Sequence, residues 1–433
     1  MSEHVPADFK PSALGPIPGA WDVVELKKIA NIIDGDRGKE YPKESDFMKR
    51  GACLFLSAKN ITSAGFSLAE EVFISHEKDK KLRSGKLVRN DIIITTRGSV
   101  GNVALYANSI PYDSIRINSG MAIVRIKNEN VFMHEYAYQL MRSQVIQNQV
   151  ELLNFGSAQP QLTIGIINTL DMPLPPLPEQ RKIAAVLGSA DRSIAATEKL
   201  IAKLADLKKA LMQQLLTKGI GHTEFNPSPL GPIPKSWEVK RIKEICSVVQ
   251  DGTHFSPQSK SGPYKYITSK NIREGFIDLK DCQYISAEEH YEIYRKCRVL
   301  PGDVLLTKDG ANVGNACINI LKEEFSLLSS VAVLRGIPDR LLNEYILHFL
   351  LSPVGEQLIK DSISGLAITR MTLTVINNLK ICLPPLLEQR KIADILNGVD
   401  RKLSAAKVKL AKAKDLKQGL MNDLLTGKVR VSA

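Results

Sequence analysis

The chain has 433 residues, of which 44% are hydrophobic and 24% are charged. This composition excludes a disordered or collagen-like chain, and at about 150 residues per domain the length predicts roughly three structural units. No apolar run approaches the roughly 18 residues that a membrane span requires, and Met1–Lys10 lacks the apolar stretch of a signal peptide. We therefore expect a cytoplasmic protein.

Charge and cysteine usage narrow the function only slightly. The 58 basic and 46 acidic residues leave a net charge of +12, which is compatible with a polyanionic partner but also with a housekeeping protein. The six cysteines contain no CxxC pair, and the seven histidines do not fall at metal-ligand spacing. Neither a disulfide framework nor a metal site is expected.

The sequence is a tandem duplication. The string FKPSALGPIPGAW (9–21) recurs as FNPSPLGPIPKSW (225–237). A longer block, 170–217, recurs at 379–426 with 25 of 48 positions identical at a constant offset of 209. Such self-similarity predicts two copies of one structural unit.

Weaker but ordered matches join these blocks. LSAKNI (56–61) matches ITSKNI (267–272), and NDIIITTRGSVGN (90–102) matches GDVLLTKDGANVGN (302–315). Short β-branched runs bounded by Gly or Asp predict strands; they are Ile92–Thr95, Ala122–Ile126, Val304–Thr307 and Val331–Leu334. The predicted segments are a variable α/β domain at 1–175, a helix at 176–218, a second variable domain at 219–384 and a second helix at 385–433.

Both long blocks predict helices. Each begins with prolines and then continues without one, so helices are predicted from Glu179 and from Glu388. Apolar residues recur in steps of four and three, a coiled-coil-like stripe. Packing on the helix's own domain explains a single stripe, but two similar helices in a duplicated chain most simply pack on each other, antiparallel about a pseudo-twofold axis. The residues predicted to pack are Ile183, Leu187, Ile194, Leu204, Leu211, Ile392, Leu396, Leu403, Leu416 and Leu420.

These features resemble the specificity subunits of type I restriction-modification systems. The resemblance rests on PLPPLPEQRKIA (173–184) and CLPPLLEQRKIA (382–393), each followed by Asp-Arg, on LMxxLLT at 211–217 and 420–426, and on LGPIPxxW before each variable domain. It covers essentially the whole chain. It implies an α/β (α+β) fold with two similar target recognition domains, separated by two long conserved helices that pack as an antiparallel coiled coil.

The resemblance also implies partners. Each target recognition domain would read one half of a split duplex DNA sequence, while the helices set the spacing and dock two modification subunits. Those subunits methylate adenine at N6 with S-adenosylmethionine, and restriction subunits translocate and cut DNA using ATP and Mg. The chain itself would bind no cofactor.

No catalytic constellation is evident in the residues themselves. The string nearest to the base-gripping motif of an adenine methyltransferase, NPSP (226–229), lacks the aromatic residue and the adjacent prolines. GIG (219–221) follows a predicted helix rather than a strand, and no GxxxxGK[ST] loop occurs. Glu25 and Lys27 could belong to a nuclease centre, but the repeat has Arg241 in place of the acid. A non-catalytic subunit is expected.

Candidate DNA contacts lie where predicted strands enter loops. Polar loops at 34–41 and 251–256 carry cations or histidine, although ordinary turns explain them equally well. Lys-Asn pairs end two strand-like segments, where an Asx turn is an alternative. Arg97 and Lys308 stand before glycines whose backbone can approach phosphate, and a cation in both copies favours DNA contact. The predicted DNA-binding residues are Arg37, Lys39, Lys59, Asn60, Arg97, Asn102, His254, Lys270, Asn271, Lys308, Asn312 and Asn315.

Duplex DNA is the expected ligand. Aromatic residues make up 6% of the chain, which does not indicate a stacking platform for single strands. The rival hypothesis is a two-domain adaptor whose helices dimerise and whose variable domains bind proteins. Steep loss of duplex binding with rising salt would distinguish the two, because only a DNA-binding protein releases counterions from the phosphates.

Overall fold

The computed structural model describes residues 8–153, 161–363 and 370–431, and the chain forms two compact units. Unit 1 combines Met1–Thr197 with Lys409–Ala433, and unit 2 is Glu198–Val408. The boundary divides both long helices, so each unit contains the first half of one helix and the second half of the other. Among the described helices, none combines the length and the apolar character that crossing a membrane requires.

Unit 1 mixes short strands with short helices. Its strands are β1 (Phe9–Lys10), β2 (Ile17–Pro18), β3 (Asp22–Glu25), β4 (Ala30–Asp34), β5 (Cys53–Leu56), β6 (Ile61–Thr62), β7 (Gly65–Phe66), β8 (Phe73–Ile74), β9 (Ile92–Thr95), β10 (Val103–Leu105), β11 (Ile115–Ile117), β12 (Met121–Ile126) and β13 (Asp171–Leu174). Its helices are α1 (Leu26–Ile29), α2 (His76–Lys81), α3 (His134–Met141), α4 (Gln144–Leu153), α5 (Ile164–Asn168) and the first half of α6 (Leu177–Leu215).

Unit 2 repeats this order. Its strands are β14 (Phe225–Asn226), β15 (Ile233–Pro234), β16 (Glu238–Arg241), β17 (Cys246–Asp251), β18 (Tyr264–Ile267), β19 (Ile272–Arg273), β20 (Phe276–Ile277), β21 (Gln283–Ile285), β22 (Val304–Thr307), β23 (Ala316–Ile318), β24 (Phe325–Leu327), β25 (Val331–Gly336) and β26 (Lys380–Leu383). Its helices are α7 (Ile242–Ile245), α8 (Ala287–Tyr294), α9 (Asn343–Leu350), α10 (Pro353–Ile363), α11 (Leu373–Asn378) and the first half of α12 (Leu386–Leu424).

The sheets have the same strand order in both units. A four-stranded antiparallel sheet runs β10-β9-β12-β4 in unit 1 and β23-β22-β25-β17 in unit 2. A three-stranded sheet, β11-β5-β8 or β24-β18-β21, has one parallel pair in each unit. The four strands predicted from sequence are confirmed as β9, β12, β22 and β25.

The four-stranded sheet is buried on both faces, which explains its continuous apolar strands. Along β12, Ala122 and Val124 belong to one core, whereas Met121 and Ile123 belong to another on the opposite face. Unit 2 repeats this alternation along β25.

The long helices begin two residues before the predicted glutamates, at Leu177 and Leu386. Pro178 does not prevent this start, because proline is tolerated in the first turn, where its missing N–H has no intrahelical partner. Each helix has 39 residues.

The ends of the two helices pack within each unit. In unit 1, Ile183 and Leu187 of α6 share a core with Met421 and Leu424 of α12. In unit 2, the opposite ends meet, since Ile392 and Leu396 of α12 share a core with Met212 and Leu215 of α6. The start of one helix therefore lies against the end of the other, and the predicted antiparallel packing is confirmed. The domain boundaries predicted from sequence stay a prediction.

One predicted packing residue is wrong. Leu416 is 63% exposed, and Lys417 takes the buried position at 7% exposure. The stripe runs through Ala413 and Lys417 toward Leu420, because a step of four rather than three keeps the same helix face turned inward. The Lys417 ammonium lies 2.5 Å from the Asp191 carboxylate of α6, which compensates its burial.

Candidate nucleic-acid interface

Three loops meet beside the four-stranded sheet of unit 1, and they hold most of its predicted DNA contacts. The loops are 34–39, 96–102 and 118–120. The Thr96 N–H donates to Gly120 O at 2.8 Å, and the Arg37 guanidinium donates to Ser119 O at 3.2 Å. We name these loops, and their equivalents in unit 2, the glycine-loop corner.

Unit 2 builds the same corner. Its loops are 251–256, 308–315 and 328–330. The Lys308 N–H donates to Ser330 O at 2.9 Å, and the Ser329 N–H donates to Thr253 O at 2.8 Å. The backbone arrangement is thus shared, whereas most side chains at the corner differ between the units.

Glycine keeps the corner open. Gly98 and Gly310 have φ of +73° and +92°, a left-handed backbone that favours glycine. A Cβ at either position would meet nothing within 4 Å. Both loops therefore present bare backbone to the surroundings, which suits close approach to a phosphate backbone.

A buried carboxylate shapes the first loop of unit 1. Asp36 is 6% exposed and accepts hydrogen bonds from the N–H groups of Gly38 and Arg83, both at 2.6 Å. Burial alone would raise its pKa, but these donors bring the pKa of Asp36 below its usual value. Arg37 and Lys39, which follow Asp36 in the same loop, remain exposed.

The expected pair of matched cations is wrong, because Lys308 stands two residues before its glycine, whereas Arg97 stands one residue before Gly98. Lys308 occupies the place of Thr96: Leu162 N–H donates to Thr96 O at 3.1 Å, and Met371 N–H donates to Lys308 O at 2.8 Å. The residue that corresponds to Arg97 is consequently Asp309.

Lys308 is also buried. Its exposure is 1%, and its Nζ lies 3.3 Å from an Asp251 carboxylate oxygen and 3.1 Å from one of Asp309. An ammonium held by two carboxylates inside the corner does not reach phosphate in this arrangement. Lys308 therefore stabilises the corner, whereas the Arg97 side chain is exposed.

Four predicted asparagines also have structural partners. Asn60 and Asn271 are 5% and 4% exposed, and each closes a turn by hydrogen bonds to main-chain groups. Asn102 and Asn315 are half-buried and donate to Ile61 O and to its counterpart Ile272 O. Asx turns and loop bracing explain these residues without DNA.

The remaining predicted contacts are exposed. Arg37 and His254 occupy the same loop position and lie 3.1 Å from Asp34 and 3.5 Å from Asp251, respectively. Lys59 pairs with an exposed Glu70. Lys39, Lys270 and Asn312 are exposed as well. DNA contact by these side chains stays a prediction.

Two residues that the sequence did not single out contact the corner, namely Gln161 in unit 1 and Arg370 in unit 2. Arg97 Nε and Nη2 each lie 2.9 Å from the Gln161 amide oxygen when that amide faces them. In unit 2, Arg370 Nε lies 3.2 Å from an Asp309 carboxylate oxygen. Gln161 and Arg370 are separated by 209 positions, the offset of the long block, so extending that block a few residues upstream would have paired them.

One exposed group in the described part of the chain brings three possible metal-ligand atoms within 4.8 Å, namely Glu129, His134 and Glu135. The two carboxylates lie 2.9 and 3.3 Å from the His134 ring nitrogens. These contacts account for the cluster as local pairing beside α3, so it carries no metal assignment.

Comparison with known families identifies the class. The type I restriction modification DNA specificity domain matches twice, at residues 18–206 and 234–414. These matches cover most of the chain, which therefore belongs to this family and carries two copies of the DNA specificity domain.

Individual relatives extend over nearly the full length. The MjaVIII specificity subunit of a type I restriction enzyme from Methanocaldococcus jannaschii is 27% identical, over 96% of this chain and 94% of the relative. The EcoKI specificity subunit from Escherichia coli is 20% identical, over 96% and 90%. The type I S subunit structure from M. genitalium has a TM-score of 0.60 at 15% identity, over 93% of this chain and 96% of that one, which supports the fold.

Proposed function

We propose that each unit reads one half of a bipartite duplex DNA target through its glycine-loop corner. The observation that carries this proposal is that the DNA specificity domain occurs twice and that both copies build the same open corner with largely different side chains around shared glycines. Two domains that recognise two different half-sites require the same backbone framework with different side chains. The net charge of +12 favours the approach of DNA.

The long helices are proposed to set the distance between half-sites and to dock modification subunits. Exposed apolar side chains recur on them at the repeat offset: unit 1 has Val186 and Leu416 at 39% and 63% exposure, and unit 2 has Ile395 and Leu207 at 40% and 47%. Apolar residues that the fold leaves exposed in both copies suit two copies of one partner.

The chemistry is proposed to belong to the partners. Two modification subunits would methylate adenine at N6 with S-adenosylmethionine, and restriction subunits would use ATP and Mg to translocate and cut. This chain would supply sequence recognition and act without catalysis or cofactor.

Selection from a random duplex library tests the reading function. The full chain, alone and with its modification subunits, should retain duplexes that share two fixed half-sites and one spacer length. The logarithm of the affinity should fall linearly with the logarithm of the salt concentration. An adaptor would show no duplex affinity at any salt, and that result would overturn the proposal.

Charged substitutions test the docking surface. Leu207→Glu combined with Leu416→Glu should weaken binding of the modification subunit by roughly tenfold or more, because apolar anchors dominate such interfaces. Ile320→Glu, at a residue of unit 2 that is 75% exposed and lies outside the helices, is the matched control. Equal binding by both variants would place the docking surface elsewhere.

Helix insertions test the spacing. Four residues inserted after Ala202 and after Ala411 add about one turn and roughly 6 Å to each helix. This length corresponds to about two base pairs at roughly 3.4 Å each. The half-sites should stay the same while the selected spacer lengthens. An active variant with the original spacer would show that the helices do not set the distance.

A further inference from the structure

The arginine that lies beside the loop between the second and third sheet strands comes from different segments of the chain in the two units. In unit 1 the loop after β9 supplies Arg97, in addition to Arg37 of the first loop, and the neighbour of Arg97 is the neutral Gln161. In unit 2 the loop supplies the acid Asp309, and the arginine Arg370 comes from the segment that faces it. Matched backbone hydrogen bonds fix this correspondence, since the residues after Gln161 and Arg370 donate to equivalent carbonyls.

Additional charged groups in unit 2 hold this arrangement. Asp309 lies between Arg370, at 3.2 Å, and the buried Lys308, at 3.1 Å, while Lys308 also contacts Asp251 at 3.3 Å. The four charges alternate in sign along this row. The Lys308 ammonium donates to Asp309 Oδ2, while Asp309 Oδ1 forms an ion pair with Arg370, and a backbone bridge joins Asp309 and Arg370. These contacts place Arg370 beside the loop.

Arg370 is the most solvent-exposed of these four charged residues. Its side chain is 51% exposed, compared with 24% for Asp309 and 1% for Lys308. The contact with Asp309 uses Nε. The two terminal amino groups are the donors with which arginine makes bidentate contacts to phosphate oxygens or to guanine O6 and N7.

We propose that Arg370 is the DNA-contacting guanidinium of unit 2 and the functional counterpart of Arg97. Asp309 and Lys308 are positioning residues that hold it over the open glycine loop. This assignment rests on the proposed function and adds to it a DNA-contacting residue that similarity of the loops alone would place at Lys308. Each unit thus has an arginine next to this loop, although the arginine comes from a different segment of the chain in each unit.

The test copies the unit 1 residue into unit 2. Arg370→Gln in the full chain, compared with Arg97→Gln, should reduce affinity for selected duplexes roughly 5- to 150-fold if a base is contacted. If a phosphate is contacted, the slope of log affinity against log salt should fall by about 0.9. Any change in the selected sequence should be confined to the half-site of unit 2 for Arg370→Gln and to the other half-site for Arg97→Gln.

An exchange variant separates a missing contact from a damaged fold. Asp309→Arg together with Arg370→Gln reproduces the unit 1 arrangement and leaves Lys308 paired with Asp251. We expect it to recover the salt slope that Arg370→Gln loses. Arg241→Gln, an exposed arginine on β16 outside the corner, controls for the loss of one positive charge.

The outcomes distinguish this assignment from the proposed function. If the unchanged chain fails to bind duplexes with two half-sites, both are overturned. If it binds but Arg370→Gln keeps the same half-site, affinity and salt slope, only the Arg370 assignment is overturned. An equal effect of Arg241→Gln would likewise overturn it, because net charge alone would then explain the loss.

Discussion

The two units keep the same acid and the same lysine on the long helices but differ in the further donors around them. In unit 1, Asp191 accepts from Gln139 at 2.8 Å, from Arg142 at 3.2 Å and from Lys417 at 2.5 Å. In unit 2, Asp400 has Lys208 at 2.8 Å. The duplication has thus preserved both the acid and its lysine, since Lys208 and Lys417 are also 209 positions apart, while the variable part of unit 1 adds Gln139 and Arg142.

The same rule holds where the helices begin. Glu179 accepts from Trp21 Nε1 at 2.8 Å and from the Arg430 guanidinium at 2.6 and 2.8 Å. Its repeat counterpart Glu388 accepts from Trp237 at 3.0 Å and lies 2.8 Å from a His222 ring nitrogen. Acid and tryptophan are fixed, whereas the second donor is arginine in one unit and histidine in the other. Similarity between the copies therefore locates each anchoring acid and one donor to it, but not the additional donors.

Among these tests, replacing the acid on the long helix should give the largest difference in stability between the two units. Asp191→Asn leaves the buried Lys417 without its carboxylate, so we expect the free energy of unfolding of unit 1 to fall by about 3 kcal/mol. The pKa of Asp191 agrees with this role: burial alone would raise it, but Lys417 and Gln139 hold it below its usual value. The unfolding free energy of each unit is measured by urea unfolding that is followed through amide hydrogen exchange.

Asp400→Asn is the matched control for that experiment. The Asp400 side chain is 37% exposed and that of Lys208 is 15% exposed. We expect a loss of about 1 kcal/mol or less, as for partly exposed ion pairs. Equal losses for the two variants would show that the additional donors around Asp191 contribute nothing.

Asn60→Ala tests whether a predicted DNA contact is a structural residue. The Asn60 side chain binds Ser57 N, Ser67 O and Glu70 O, so its removal leaves three main-chain groups without their partner. We expect unit 1 to lose about 2 kcal/mol of unfolding free energy.

Asn271, the counterpart of Asn60 in unit 2, provides a comparison for this stability loss. Asn271 binds two main-chain groups, Thr268 N and Asp278 O, so Asn271→Ala should have a smaller effect. An unchanged stability combined with an altered half-site would restore the original interpretation of Asn60 as a base contact.

The pH dependence of stability should differ between the units at one matched position. His348 of unit 2 is 1% exposed, and burial lowers its pKa, although Asn397 and Asp400 oppose that shift. Unit 1 has Gln139 there. Because the unfolded histidine takes up a proton near pH 6.5 and the folded one does so only at lower pH, unit 2 should lose stability as the pH falls below about 6.5.

His348→Gln checks this sign. The charged neighbours Lys208, Asp400 and Glu344 are unchanged in the variant. Its unfolding free energy should vary less with pH, by up to about 1.4 kcal/mol per pH unit, while His290 keeps part of the dependence because burial also lowers its pKa. At pH 8 this contribution should be absent. An identical pH profile for both proteins would contradict the assignment.

Much of the architecture could be predicted from the repeat, and much of the site could not. The offset of 209 located both long helices, and β-branched runs located four strands. A hydrophobic stripe, however, favours Leu416 over Lys417, because residue type does not reveal that Asp191 lies opposite. Lys308 was misassigned for a related reason: its burial between Asp251 and Asp309 depends in part on a contact distant in sequence, which residue type does not reveal. Arg370 lies 61 positions from Asp309 and becomes its neighbour only in the folded chain.

Replacing Lys59 should have the smallest effect on stability and should affect only DNA binding. Its ammonium lies 3.3 Å from Glu70, but the two side chains are 76% and 69% exposed, so Lys59→Gln should change the unfolding free energy by less than about 0.5 kcal/mol. If Lys59 contacts phosphate, the salt slope of duplex binding should fall by about 0.9, with the half-sites unchanged. Lys270→Gln should do the same in unit 2, because Lys270 holds the matching exposed position. A slope that falls for one variant alone would mean that only that unit brings this turn to the DNA.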